Sequence, residues 1–81
     1  MAENTKITSV FSLGHQVQQS RRQQGLTQAE LAALSGTGTR FVGDFERGKE
    51  NLSFGKMLQV LSALGLDLYV SNRMDQTWQK D

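Results

Sequence analysis

The sequence predicts a mainly α-helical domain of four helices followed by one short β-strand, and three features support this fold class. Apolar side chains recur at helical spacing, most clearly from Phe54 to Leu64. The 81 residues contain no proline and eight glycines, which favours unbroken helices that end at glycines. Beyond the last helix, Leu66–Val70 alternates as a strand does. Because a lone strand leaves its edges unpaired, we expect it to pair with the same strand of a second subunit, although a short strand around residues 6–8 could also contribute.

Capping residues and glycines set the predicted helix boundaries. Ser9 and Ser53 precede the first and fourth helices, and Thr27-Gln28-Ala29-Glu30 has the spacing of a capping box. The helices are expected over about residues 10–24, 28–35, 39–47 and 54–64, the third beginning at Gly38 or Thr39. Their inward-facing residues are predicted to be Phe11, Leu13, Val17, Leu31, Ala32, Leu34, Val42, Phe45, Met57, Leu61 and Leu64, with Phe54 and Leu58 on the same stripe as Met57.

The second and third helices have the pattern of a helix-turn-helix. They are joined at Ser35-Gly36-Thr37, and glycine permits the left-handed backbone that a tight turn needs. Because two such helices cross closely, the position of Ala32 must be small, while Val42 and Phe45 anchor the second helix. The motif predicts that residues 39–47 form a helix that reads the major groove of DNA.

The segment from Gly25 to Lys49 resembles the helix-turn-helix of the lambdoid phage repressors. Residues 6–70 are similar in spacing to the HipB antitoxins, through Lys6-Ile7, Ser9, Gln23 or Gln24, Gly25, Thr27-Gln28, Phe45-Glu46 and the leucine-rich fourth helix. The resemblance implies a lambda-repressor-like domain of the Xre type that forms a homodimer. It also implies double-stranded operator DNA and a HipA-like kinase toxin as partners, and repression of its own operon at a palindromic operator.

The resemblance places base contacts at the start of the third helix, at Thr39 and Arg40, and on its next turn, at Gly43 and Asp44. Arg40 can offer a bidentate fork to guanine, and Thr39 can meet a thymine methyl group or a phosphate. Gly43 permits close approach. Asp44 either accepts from cytosine N4 or pairs with Arg40 four residues earlier, and we favour the ion pair.

Phosphate contacts are expected at Gln28, Arg47 and Lys49. Gln28 begins a helix whose amides point outward, and the two cations follow the reading helix. The formal net charge of the chain is only +1, so its DNA affinity must depend on where the charges lie.

Other prominent residues are interpreted as structural. Arg21 and Glu46 resemble the semi-buried ion pair that the family forms between its first and third helices. Phe41 is expected to pack against the first or fourth helix, with contact to a thymine methyl group as the alternative. His15 is expected at the surface or in an interface, and Lys56 in solvent.

The predicted organisation is an N-terminal arm (1–9), the DNA-binding domain (10–65), a dimerisation strand (66–71) and a flexible tail (72–81). The dimer contacts are assigned to Leu66, Leu68, Tyr69 and Val70. Trp78 stands alone in the polar tail, and the HipB resemblance implies that it contacts the toxin.

The composition argues against several other classes of protein. Without cysteine and with one histidine, the chain offers no metal site, no catalytic pair and no cofactor motif, so an enzyme is not expected. With no signal peptide and no apolar stretch of membrane-spanning length, we expect a cytoplasmic, nucleoid-associated protein that does not contact membranes. The remaining competitor is an interaction module that has lost DNA binding, which the low net charge and Asp44 would favour.

Overall fold

The computed structural model describes residues 4–73 and contains four α-helices in that range. The helices are α1 (Val10–Gln23), α2 (Gln28–Ser35), α3 (Thr39–Glu46) and α4 (Phe54–Ala63). Each begins and ends within one residue of its predicted boundary. The mainly α fold class and the four helices are therefore confirmed.

The predicted caps are present at the starts of the helices. The Ser9 and Thr27 hydroxyls each accept from the backbone amide three residues on, at 3.0 Å, and both belong to complete capping boxes. The Ser53 hydroxyl accepts from the Lys56 amide at 3.2 Å. Each cap satisfies one of the amides that a helix start leaves without an intrahelical partner.

The turn between α2 and α3 depends on one glycine. Gly36 caps α2 with φ 71°, a left-handed conformation that costs glycine little. The amide of Thr37 then donates to the carbonyl of Ala32 at 3.0 Å, and the Ser35 and Thr37 hydroxyls lie 2.8 Å apart. The turn is thereby fixed by backbone and side-chain hydrogen bonds, which orients α3 relative to α2.

One hydrophobic core joins all four helices. It consists of Leu13, Val17, Leu31, Ala32, Val42, Phe45, Met57, Val60, Leu61 and Leu64. Phe45, Leu31, Val17, Val42 and Val60 are its largest fully buried side chains.

The prediction that Leu34 and Phe11 face neighbouring helices is wrong. Both are exposed, as are Phe54 and Leu58 of the predicted α4 stripe. An eight-residue helix buries only one face, and in α2 that face carries Leu31, Ala32 and Ser35. Leu34 instead lines a surface groove with Leu58 and its neighbours on α4.

Residues 66–72, after α4, have no regular secondary structure, and no strand occurs within residues 4–73 of the single chain. Leu66 packs against the core, and its amide donates to the Leu61 carbonyl at 2.9 Å. Leu68 is exposed, and Tyr69 and Val70 expose 72% and 98% of their surface. Strand pairing across a dimer requires a second chain and stays a prediction. Trp78 lies outside the described residues.

Candidate nucleic-acid interface

The N-terminal end of α3 presents Thr39 and Arg40 to solvent. The N-cap residue of this helix is Gly38, which has no side chain to cover or cap the first backbone amides. Thr39 and Arg40 are both exposed, and Arg40 forms no ion pair within residues 4–73. The two side chains are therefore accessible to an outside acceptor.

A buried ion pair beneath this surface ties α1 to α3, and it confirms the predicted Arg21–Glu46 pair. Arg21 Nε lies 2.6 Å from Glu46 Oε2, and Arg21 Nη2 donates to Glu46 Oε1 at 3.0 Å. The remaining guanidinium nitrogen, Nη1, donates to the Leu26 carbonyl at 2.8 Å. The pair therefore fixes α3 against both α1 and the loop that precedes α2.

The same carboxylate also holds the start of α2. Gln28 Nε2 donates to Glu46 Oε1 at 3.1 Å, and Gln18 Nε2 approaches that oxygen at 3.4 Å. The sequence predicted Gln28 as a phosphate contact but gave no sign that its amide would be anchored. Burial raises the pKa of the Glu46 carboxyl, but hydrogen bonds from Arg21 and Gln28 and the charge of Arg21 outweigh it, and the pKa lies below its ordinary value.

Asp44 pairs with cations that follow it and not with Arg40, so the favoured sequence interpretation is wrong. Asp44 Oδ1 lies 2.5 Å from Arg47 Nη2, and Oδ2 lies 3.7 Å from Lys49 Nζ. The chain turns back at Gly48, with φ 80°, and the Lys49 amide donates to the Asp44 carbonyl at 3.0 Å. Arg47 reaches Asp44 by helical spacing and the reversal at Gly48 adds Lys49, whereas Arg40 stays at the exposed start of the helix.

Gly43 is buried beneath two polar side chains. A Cβ atom at Gly43 would lie 3.3 Å from Arg47 Nη1 and 3.7 Å from Gln28 Oε1. Arg47 therefore folds back along α3 to Gly43, in the middle of the helix, which the Gln28 amide also approaches. The structure brings Gln28, Gly43, Asp44, Arg47 and Lys49 together, one helical turn from Thr39 and Arg40.

Phe41 packs toward the core as predicted. The ring centroids of Phe41 and Phe45 lie 6.0 Å apart. The Nζ atom of Lys56, on α4, lies 5.9 Å from the centroid of the Phe41 ring. Lys56 is exposed as expected, but its amine lies over an aromatic face.

The described residues carry no feature of a metal centre or of a membrane-spanning helix. No group of three or more histidine, aspartate or glutamate side chains within residues 4–73 could hold a metal ion. None of the helices in that range is long and apolar enough to cross a membrane.

Comparisons with known proteins agree with this geometry. Residues 17–70 match the family described as helix-turn-helix. An uncharacterized HTH-type transcriptional regulator of Sinorhizobium fredii, y4mF, is 41% identical over 63 residues, which cover 78% of this chain and 83% of that protein.

Two solved structures are also similar. A structure of the HipA-HipB-O2-O3 complex contains a chain that superposes with a TM-score of 0.78 at 28% identity, covering 85% of this chain and 97% of that one. The restriction-modification controller protein C.AhdI of Aeromonas hydrophila superposes with a TM-score of 0.64 at 34% identity, covering 72% and 84%.

Proposed function

Because the chain belongs to the helix-turn-helix family of DNA-binding transcriptional regulators, of the Xre/HipB type, we propose that it is a repressor that binds a palindromic operator as a homodimer. The observation that carries the proposal is the exposed start of α3, where Thr39 and Arg40 project from a helix anchored by the buried Arg21–Glu46 pair. A rigid helix with exposed donors at its N-terminal end suits insertion into the major groove.

In this proposal, base reading and backbone clamping are divided between two parts of the surface. Arg40 donates in bidentate fashion to guanine O6 and N7, and Thr39 contacts a neighbouring base or phosphate. Lys49 and Gln28, supported by the first amides of α2, contact phosphates and set the register of α3 in the groove. The two α3 helices of a dimer occupy successive major grooves, with half-sites roughly 34–36 Å apart.

The dimer is proposed to form through residues 66–71. Tyr69 and Val70 are large, apolar for the most part, and exposed in the single chain, and residues 66–70 belong to no helix or strand. Pairing two copies antiparallel would satisfy the backbone groups of both segments and place Tyr69 and Val70, on opposite faces, beside side chains of the partner strand.

We further propose that the chain is the antitoxin of a HipA-like kinase and represses the operon that encodes both. The likeness to a chain in a HipA-HipB complex, over 85% of the sequence, supports this role. The likeness to the C.AhdI controller protein supports the alternative, an autoregulatory repressor with no toxin partner. Co-expression with the product of an adjacent kinase-like gene, followed by co-purification, distinguishes the two roles. A kinase that does not copurify favours the second role.

The operator proposal is tested by selecting binders from a library of duplexes with a randomised central segment. We expect the protein to enrich a palindrome, and Arg40→Ala to relax the preference at one base pair of each half-site, at a cost of roughly 1–3 kcal/mol. Arg22→Ala is the matched control, because Arg22 is an exposed arginine of α1 and the substitution removes the same charge.

A salt titration tests the competing class, an interaction module without DNA binding. A protein that neutralises several phosphates loses affinity steeply as salt rises. Failure to retain any duplex at low salt would overturn the operator proposal. The family consists of transcriptional regulators, and the proposed activity requires neither catalysis nor a cofactor. We propose that it takes place on DNA in the cytoplasm.

A further inference from the structure

The space left by the missing side chain of Gly43 is taken by the guanidinium of Arg47. A Cβ at Gly43 would lie 3.3 Å from Arg47 Nη1, closer than an ordinary van der Waals contact, so the guanidinium packs against this position. Gly43 lies on the turn of α3 that follows Thr39 and Arg40, on the side that the sequence assigns to the groove. Arg47, whose backbone follows the end of α3, thus delivers its charged group to the middle of the reading helix.

Asp44 holds that guanidinium in place. Its side chain is only 14% exposed, whereas that of Arg47 is 70% exposed, so the carboxylate lies beneath the guanidinium and the guanidinium faces solvent. Asp44 Oδ1 engages Arg47 Nη2, and Oδ2 faces Lys49 Nζ, so both oxygens have cationic partners. Two cations against one carboxylate leave the cluster with a net positive charge.

We infer that Arg47, buttressed by Asp44 in the space above Gly43, reads a guanine in each half-site, and that Asp44 is its positioning residue. This inference rests on the proposed operator binding. A guanidinium has five N–H donors in a planar fork. Asp44 engages one N–H of Nη2, which leaves the second N–H of Nη2 and an N–H of Nη1 to donate to guanine O6 and N7. An arginine fixed in advance loses less rotational freedom on binding than one that is free to move.

Gln28 lies near the same position on α3. Its amide is anchored to Glu46 at 3.1 Å, and its Oε1 would lie 3.7 Å from a Cβ at Gly43, the position that Arg47 Nη1 approaches to 3.3 Å. The guanidinium is confined by its ion pair with Asp44, beside Gly43. This confinement distinguishes Arg47 from Lys49, whose amine lies 3.7 Å from the nearest carboxylate oxygen and contacts phosphate in our proposal.

The experiment is selection from the same randomised duplex library by the wild type, Arg47→Ala, Asp44→Asn and the double variant. We expect Arg47→Ala to lose a guanine preference of about 5- to 150-fold at one position of each half-site. Asp44→Asn should weaken the preference at the same position. The double variant should match Arg47→Ala, because Asp44 acts through Arg47.

Two results would overturn the inference while leaving operator binding intact. One is an Arg47→Ala variant that selects the same bases with uniformly lower affinity and a salt slope smaller by about one, which is the behaviour of a phosphate contact. The other is an Asp44→Asn variant that binds all duplexes more tightly, which would show that Asp44 restrains the cations. Failure of the wild type to enrich any duplex would instead refute the proposed function.

Controls separate these effects from changes in folding and in charge. Circular dichroism and thermal unfolding establish that each variant retains its helices, and Arg47→Gln, which keeps most of the side-chain stem, replaces Arg47→Ala if the latter unfolds. Arg22→Ala removes one positive charge from the exposed surface of α1 and should leave the selected bases unchanged.

Discussion

Gly14 of α1 lies directly against the backbone carbonyl of Phe45 in α3. A Cβ atom at Gly14 would overlap the Phe45 carbonyl oxygen and approach its carbonyl carbon to 3.0 Å and the Cα of Glu46 to 3.2 Å. The obstacle is the backbone of the reading helix, which cannot rotate away as a side chain can. Glycine at this position therefore sets how closely α1 and α3 pack.

We expect Gly14→Ala to lower the free energy of unfolding by about 1–3 kcal/mol, because the overpacked backbone must shift. Helix propensity alone predicts the opposite sign, a gain of up to about 1 kcal/mol. Gly55→Ala is the control, since Gly55 also lies in a helix but its Cβ would meet only Ser53 Oγ, at 3.9 Å. Urea titrations that show both variants stabilised would contradict this account of Gly14.

Removing one partner of the Arg21–Glu46 pair should destabilise the protein more than replacing both partners with apolar residues. The two side chains are only 10% and 1% exposed, so Arg21→Met leaves a buried carboxylate without its cation. We expect a loss of roughly 3–5 kcal/mol, measured by denaturant unfolding. Adding Glu46→Leu to Arg21→Met should recover much of that loss, because the unpaired charge is removed. A double variant as unstable as Arg21→Met would show that the charge is not the cause.

The Glu46 carboxylate also makes the stability of the protein depend on pH. The pKa of Glu46 lies below its ordinary value of 4.5 in the folded protein, since hydrogen bonds from Arg21 and Gln28 outweigh the effect of burial. Its contribution to stability is therefore fully present above pH 4.5 and is lost as the pH falls through the lower, folded pKa. Melting temperatures recorded from neutral to acidic pH should fall less steeply for Glu46→Gln than for the wild type. Parallel curves would contradict the assignment.

The sequence predicted the helices well because their signals are local. Ser9, Thr27 and Ser53 act on amides within one turn, and Gly36 sets the turn by its own backbone conformation. The importance of Gly14 could not be predicted in this way. Helix propensity implies only that a glycine weakens α1, whereas the carbonyl that Gly14 accommodates belongs to a residue 31 positions later, Phe45.

The sequence suggested which residues to consider for the candidate site, but it did not predict the contacts among them. Helical spacing allows Asp44 to reach Arg40 or Arg47, and the choice depends on the reversal at Gly48, which adds Lys49 to one side. Similarly, the anchoring of Gln28 by Glu46 joins residues 18 positions apart and follows from the crossing of α2 and α3.

The dimerisation strand provides the last prediction. Consecutive residues of a strand point to opposite faces, so Tyr69→Glu combined with Val70→Glu places a carboxylate on each face. Two-fold symmetry brings like charges near one another across the pair, and we expect the variant to be monomeric in sedimentation analysis.

The variant should also bind the operator far more weakly, because each monomer holds only one half-site. Gln19→Glu with Gln23→Glu is the charge-matched control, since both positions are exposed on α1 and lie outside residues 66–71. The control should remain dimeric, which separates loss of pairing from repulsion by DNA. A Tyr69→Glu/Val70→Glu protein that is still a dimer would place the subunit interface elsewhere. The next residues to substitute would then be Leu34 and Leu58, which are exposed in the groove between α2 and α4.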